Sequence, residues 1–311
     1  MTARVAIVTG EEAPDLTSDG RRLRERLRDR GIDAEAAVWH DPGTDWAGFD
    51  LALVRSCWGY YTDPEGFRDW LASLETAGVT VHNPPEVIRW NIHKSYLLDL
   101  ERAGVPVVPT EVVSHERERD LVSILEDRGW DEAVVKPAVG TSSAGVWRTT
   151  REAAREDQAR FAAPFPAARR VGDSASGDRA GRQLSGRDAV VQRFVPAVAD
   201  GELSLVFLGG EYSHAWRSLR ADDALGVEPD GTVAREYDPP IAEVERAADV
   251  LRAASGVLGI DPSTLTHARV DGVRHEGAFL LMELELIEPY LNLDRRDGAV
   301  DALAATIVSA I

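Results

Sequence analysis

The sequence predicts an α/β chain in which a doubly wound N-terminal unit is followed by two smaller α+β units. Three observations carry that expectation. The first hundred residues alternate short apolar runs with amphipathic segments that close on glycine, the pattern of parallel strands joined by crossover helices. Prolines 106 and 109 in VPVVPTEVV interrupt the alternation and mark a junction. Beyond it, strand-like runs follow one another with few helical segments between them. The resulting boundaries are 1–108, 109–194 and 195–311, and a length of 311 residues fits two or three domains.

The elements follow in order. RVAIVT is a short apolar strand; SDGRRLRERLRDRG then offers Ser18 or Asp19 as an N-cap, leucines at 23 and 27, and Gly31 as a stop. AEAAVW is a second strand, and FDLALVRS a third whose continuous apolar core implies burial on both faces. A helix is predicted over PEGFRDWLASLETAG, a strand at VTVHN, and a helix over NIHKSYLLDLERAG that Gly104 closes. Sheets of this kind bind ligands at the carboxyl ends of their strands, where Arg55, Ser56, Trp58, Tyr60 and Tyr61 fall. The central unit reads as strand, helix (LVSILEDRG), strand (EAVVKP), glycine-containing loop, strand (GVWRTT). Residues 164–188 are too poor in large apolar groups to fold alone and read as a mobile insertion. The last third shows strands at AVVQRFV, ELSLVFLG and EYSHAWRS, a loop at 220–231 and a helix over about 240–256. THARVDG, AFLLMELELIEP and a closing helix over 295–310 complete it.

Composition excludes several classes of function. The net charge of −18 disfavours a general phosphate-backbone binder, so nucleic acid is not an expected partner. No apolar run approaches a membrane span, and the start MTARVAIVTGEE enters a strand without a signal core, so a cytoplasmic protein with no membrane partner is expected. The single cysteine, Cys57, rules out a disulfide framework within the chain and reads as a small buried residue. Homo-oligomerisation is compatible with this composition.

Three features point to chemistry. The chain has 35 Lys plus Arg, of which only Lys94 and Lys136 are lysine. Lysine is a compact point charge that fits a tight phosphate pocket where planar arginine does not, and both lysines stand beside other signals. Behind Lys136, PAVGTSSAG supplies Gly140, Thr141, Ser142, Ser143 and Gly145, a loop whose amides can turn toward an anion. It lacks the order of a P-loop, and an ordinary hairpin is the alternative. Finally, ARVDG places Arg269 and Asp271 before a strand that carries Glu283 and Glu285 on one face with leucines on the other. Carboxylates on so apolar a strand call for a cation between them, and magnesium suits oxygen ligands; an edge strand with one wet face is the alternative.

The order of these parts resembles the ATP-grasp superfamily over nearly the whole chain. The match runs from a lysine before GVPVVPT through VVKP with a small-residue loop, QRFV and GELS to ARVDG and an E-x-E strand. RSCWGY, WNIHKSYL, VVPT, GELSLVF, YSHA and ELELIEP are most similar to the branch of the O-ureidoserine cyclo-ligase of cycloserine biosynthesis. Glutathione synthetases and RimK-type ligases are more distant. The resemblance implies an ATP-grasp fold whose N-terminal doubly wound domain binds substrate and whose two subdomains, lid and C-terminal, clamp ATP. It implies that Lys94 and Lys136 hold nucleotide phosphates and that the loop 140–145 covers them. Gln192, Phe194 and Val195 would form the adenine hinge, and Glu202 would lie near ribose or phosphates. Asp271, Glu283 and Glu285 would bind Mg2+, two ions in the usual arrangement, and Arg269 with Lys136 would act at the transferred phosphoryl group. Most of the superfamily has E-x-N where this chain has Glu285, and an acidic residue often stands in the branch where this chain has Gly59.

The activity implied is an ATP-dependent carboxylate–amine ligation through an acyl phosphate on a small amino-acid-like substrate, with intramolecular cyclisation in natural-product biosynthesis as one form. A two-substrate dipeptide or amino acid ligase is the alternative within that class, and a non-catalytic ATP-binding regulatory protein the alternative outside it. Substrate is expected between Arg55, Ser56 and Tyr60 on the first unit and Arg217 and Asn292 on the last. His93 and His267 flank the motifs and read as structural.

Overall fold

The structure, a computed structural model, describes residues 2–115, 119–141, 143–163, 188–220 and 232–311. The predicted insertion at 164–188, apart from Asp188, and almost all of the predicted loop at 220–231 lie outside them, as does Ser142. Four parallel strands, β1 (Arg4–Thr9), β2 (Asp33–Val38), β3 (Leu51–Ser56) and β4 (Thr80–His82), form the first sheet in the order β2-β1-β3-β4. Every residue of β3 is buried, as its unbroken apolar run requires. Helix α1 (Ser18–Asp29) is capped not by Ser18 or Asp19 but by Thr17, whose hydroxyl accepts from the Gly20 amide at 3.1 Å. Asp19 is turned to other use, accepting from the Leu293 amide at 3.0 Å. Helix α2 (Pro64–Ala77) starts on Asp63 with proline in its first turn and ends on a left-handed Gly78.

Of the helix predicted over 91–104 only α4 (Tyr96–Arg102) forms; another short helix, α3 (Pro85–Asn91), precedes it, and Lys94 lies in the turn between them. The Lys94 amide donates to the carbonyl of Ala138 at 2.8 Å rather than to a preceding turn, which ends the first helix. Both helices brace the last sheet: Asn91 donates to the Leu284 carbonyl and accepts from the Leu286 amide, and Tyr96 accepts from the Leu284 amide.

The second sheet is antiparallel. Its strands β5 (Thr110–Val113), β6 (Glu132–Pro137), β7 (Trp147–Thr150) and β8 (Ala189–Arg193) run in the order β5-β8-β6-β7. Helices α5 (Leu121–Arg128) and α6 (Ala154–Ala162) pack on it, and α6 had no clear sequence signal. Ala133 and Val135 of β6 enter that core, which turns Val134 and Lys136 to the opposite face.

The third sheet contains β9 (Glu202–Leu208), β10 (Glu211–Arg220), β11 (Thr232–Glu236), β12 (His267–His275) and β13 (Ala278–Glu285), ordered β11-β10-β9-β12-β13 and antiparallel. One face carries Leu203, Leu205, Phe207, Ala268 and Val270 against α4 and α7 (Ile241–Leu258). The other is apolar at one end, where Val206, Leu208 and Trp216 join α1, α8 (Ala299–Val308) and the first sheet in a shared core. Its remaining end bears Glu202, Ser204, Arg269, Asp271, Glu283 and Glu285. The closing helix starts at Ala299 rather than 295 because residues 293–295 form a 3-10 turn and Gly298 takes a left-handed conformation. No helix among the described residues is long and apolar enough to cross a membrane.

Candidate active site

Two hairpin strands build the charged end of the third sheet. In the β12–β13 register Asp271 faces Glu283 and Arg269 faces Glu285, so all four side chains project from one face. Ser204 lies beside Asp271 on β9, two residues after Glu202. Arg269 organises the group. Its Nε donates to both oxygens of Asp271 at 2.9 and 3.0 Å, one terminal nitrogen reaches Glu285 at 2.5 Å, and the other donates to the Tyr290 carbonyl at 3.0 Å. Its guanidinium also lies over the Trp216 ring at 5.9 Å.

Both lysines reach this face. Lys94 Nζ stands 3.1 Å from one oxygen of Glu283, and Lys136 Nζ 3.4 Å from the other. They arrive from different places, one from the α3–α4 turn and one from β6, and each is 7% exposed. Lys94 further donates to the Gly140 carbonyl at 2.7 Å, which ties it to the loop behind Lys136. In that loop Thr141 donates to the Trp58 carbonyl at 3.0 Å, and Ser143 and Gly145 take left-handed backbone conformations. The loop joins two adjacent antiparallel strands, so it is a hairpin connection.

Electrostatics divide the carboxylates. Burial alone would raise Glu283, but the ammonium groups of Lys94 and Lys136 outweigh it and hold the carboxyl down at about 2. Glu202 goes the other way: burial, then the charges of Asp271 and Glu283, push it up to about 8. Burial raises Glu285 to about 7 against the attraction of Arg269. Burial also works against the Arg269 guanidinium, yet Asp271 and Glu285 keep it above its usual range. The face therefore holds more carboxylate than its cations neutralise. Hard oxygen donors in excess are the donor set that magnesium takes. Among the described residues no three of them converge on one point, because Arg269 and the lysines stand between them.

The other predicted residues divide into those that join this face and those that do not. Gln192 is buried; its side-chain amide donates to Thr110 at 3.0 Å and to the Met282 carbonyl at 3.5 Å, which links β8 to β5 and β13. Phe194 lies under the Arg148 guanidinium at 3.7 Å, and Val195 packs with Val108 and Val273. Arg55, Ser56 and Tyr60 are buried at the carboxyl end of β3, where Tyr60 stacks on Phe67 at 4.9 Å. Burial raises the Tyr60 hydroxyl, with Glu288, Glu285 and Glu283 adding to the effect. Asn292 is buried with a left-handed backbone ahead of the 3-10 turn. Arg217 does not join them. It pairs with Leu203 on the opposite face of the sheet and lies over the Tyr237 ring at 4.7 Å. The alternation along β10 that places Trp216 beside Arg269 turns its neighbour away.

Cys57 is fully buried, and burial followed by Glu288 raises its thiol, which suits packing rather than attack. His267 is likewise enclosed, its Nε2 3.2 Å from the Ile287 carbonyl, and burial holds it well below its usual range. His93 and His115 flank Asp188 at 3.4 and 2.9 Å. Sequence reasoning missed Glu288, which lies in the ELELIEP run three residues beyond Glu285 and is 7% exposed. The signal was a third acid in a stretch too apolar for a solvated face.

Residues 5–83 match the model of the N-terminal domain of D-cycloserine synthetase DcsG. The chain is 33% identical to the cycloserine biosynthesis protein DcsG of Streptomyces lavendulae over 315 aligned residues, covering 95% of each protein. A crystal structure of D-cycloserine synthetase DcsG superposes with a TM-score of 0.83 at 29% identity, over 99% of both chains. D-alanine–D-alanine ligase from Bacillus anthracis, solved in complex with ATP, gives a TM-score of 0.67 over 99% of this chain and 97% of that one. At 14% identity that likeness concerns the fold alone.

Proposed function

Because the chain belongs to the DcsG family of ATP-grasp ligases, enzymes that form C–N bonds, we propose that it uses ATP to activate the carboxylate of a small amino-acid-like substrate and closes that substrate on itself, as in cycloserine formation. One observation carries the reading: two lysines from separate parts of the fold meet on one carboxylate, Glu283, at the charged end of the third sheet. An ion pair of this kind holds two cations at the place where nucleotide phosphates would take them over.

In this reading the substrate carboxylate attacks the γ-phosphorus of ATP, a P–O bond to ADP breaks, and an acyl phosphate forms. A nitrogen of the substrate then attacks the acyl carbon; the C–N bond forms as the C–O bond breaks, phosphate leaves with the electron pair, and the nitrogen loses its proton to solvent. Lys94 and Lys136 exchange Glu283 for phosphate oxygens, and Arg269 neutralises charge on the transferred group. Asp271, Glu283 and Glu285 would hold Mg2+, which supplies charge neutralisation at the phosphates. Gly140, Thr141, Ser143 and Gly145 turn backbone toward the phosphates, and Gln192, Phe194 and Val195 border the adenine. Residues 1–108 act as the substrate-side domain, 109–194 as the lid and 195–311 as the second half of the clamp. A single buried cysteine suits a cytoplasmic enzyme.

The test is release of ADP and phosphate from Mg-ATP with O-ureidoserine of either hand, with single amino acids and with pairs. Turnover on one compound supports cyclisation, and turnover only on pairs supports a two-substrate ligase. Nucleotide binding without release across the whole panel would overturn the ligase reading in favour of a regulatory binder.

A further inference from the structure

The run that follows β13 is held by its carbonyls. Three successive ones each accept an N–H from a side chain of a different strand: Pro289 from Arg55 of β3 at 3.0 Å, Tyr290 from Arg269 of β12 at 3.0 Å, and Leu291 from His214 of β10 at 2.7 Å. Strand β10 is shaped to aim the histidine. Its pairing with β9 slips between Tyr212 and His214, so Ser213 is passed over and His214 falls opposite Val206. Consecutive strand residues ordinarily point to opposite faces, but this bulge brings Ser213 Oγ within 2.9 Å of His214 Nδ1. Arg296 donates to the Ser213 carbonyl and pins the bulge.

A carbonyl can only accept, so His214 Nε2 carries the proton toward Leu291, and in the neutral ring Nδ1 takes the hydroxyl hydrogen of Ser213. Burial, with Arg296 adding to it, works against a second proton on the ring and outweighs the pull of the Leu291 and Asn292 backbone and of Asp19. Val206 pairs on its other side with Arg269, so His214 and Arg269 lie in one row across three strands and on one face of the sheet. They donate to adjacent carbonyls of the run that crosses that row. Leu291 is itself fully buried, so its side chain and its carbonyl together hold the peptide that offers the Tyr290 oxygen to Arg269. The other hydrogen bonds of Arg269 go to Asp271 and Glu285, the carboxylates that would hold Mg2+. The Tyr290 carbonyl is the neutral partner that does not compete for a cation.

We propose that Ser213 and His214 are positioning residues for phosphoryl transfer, acting through the Leu291 and Tyr290 carbonyls to fix the plane of the Arg269 guanidinium. The assignment rests on Arg269 neutralising the transferred group.

The test is ADP release by the full-length protein with Mg-ATP and any compound that turns over among O-ureidoserine and the amino acids. His214→Phe keeps a ring and removes the donor. Its kcat should fall about 10- to 100-fold, as for a misplaced catalytic group, with the KM for ATP and the melting temperature close to those of the unaltered protein. His214→Gln, whose amide can donate to Leu291 from a similar position, should recover most of the loss, and Ser213→Ala should lie between the two. In an Arg269→Lys background His214→Phe should cost little more, because both changes act on one group. An undiminished kcat in His214→Phe, equal losses in the Phe and Gln variants, or losses that add in full with Arg269→Lys would overturn the proposal. Full kcat in Arg269→Lys alone removes the role of Arg269 and the proposal with it, whereas additive losses remove the proposal alone. If His214→Phe does not fold, Ser213→Ala decides, and an undiminished kcat there sinks the idea. If no compound turns over, crystal structures of the unaltered protein and of His214→Phe decide. A guanidinium turned away from the Tyr290 carbonyl only in the variant supports the proposal, and the same contact in both overturns it.

Discussion

Lys136 shows how much one side chain decides. It is nearly buried, its ammonium 3.4 Å from Glu283, in a space bounded by Lys94 on the same carboxylate. Arginine keeps the charge but brings a planar fork too wide for that position. Lys136→Arg should lower kcat/KM for ATP by about 10- to 100-fold, the range expected for a lost charge-assisted contact, with the melting temperature close to that of the unaltered protein. Glu288 gives a prediction with a sign. Its ordinary pKa is 4.5, and burial followed by Glu285 raises it to about 8 in the fold. Below about 4.5 it is protonated in both states; above that the unfolded chain loses its proton freely while the folded chain resists. Stability without ligand should therefore fall as pH rises from about 4.5 to about 8, and Glu288→Gln should flatten part of the fall, read as melting temperature against pH. The lysines were legible because they are rare in an arginine-rich chain. Glu288 was not, because the charges that act on it, Lys94, Arg269 and Arg55 among them, are brought near only by the fold.

Among the elements, the β12–β13 hairpin sets the geometry of the charged face. A break in register after Asp271 lets Gly272 face Leu281, so that Met282 is passed over and Glu283 falls opposite Asp271. Gly272 is needed there for space: a Cβ would come within 2.4 Å of the Phe279 ring and 2.5 Å of the Leu280 carbonyl. Gly272→Ala should destabilise by about 1–3 kcal/mol through overpacking, measured by chemical denaturation, and should weaken magnesium-dependent nucleotide binding by shifting Asp271 against Glu283. Strands were read well because apolar runs report burial directly. The segment around Lys94 was misread because its helical periodicity is real on both sides of a turn that only the distant Ala138 carbonyl imposes. That Arg217 lies on the opposite face of the sheet from Arg269 was not legible, because the face of a charged residue in a strand shows only once its neighbours in the sheet are known.

At the scale of the molecule, Glu283 connects the second sheet to the third through Lys136 and to the α3–α4 turn through Lys94. Neutralising it should loosen the β6–β7 loop without touching the first sheet. In Glu283→Gln, hydrogen exchange should rise at residues 138–146 and stay unchanged in β1 and β3. The change from a parallel sheet to antiparallel ones was legible from the two prolines and the change in pattern. What was not legible is how the parts interlock, since α3 and α4 belong to the first unit by sequence yet Val87, Tyr96, Leu97 and Leu100 pack into the core of the third sheet.

The shared core around α1 has a consequence for how the chain is made. Val5, Ile7, Leu23 and Leu27 pack with Leu291, Leu293, Leu303 and Ile307, and Arg26 and Arg30 reach Asp301 at 3.3 and 3.1 Å. The first sheet and α1 must wait for residues 291–307 to emerge from the ribosome before their apolar side is covered. A nascent chain arrested before residue 290 should expose that side to chaperones, and release of the final helix should be the step that ends the exposure.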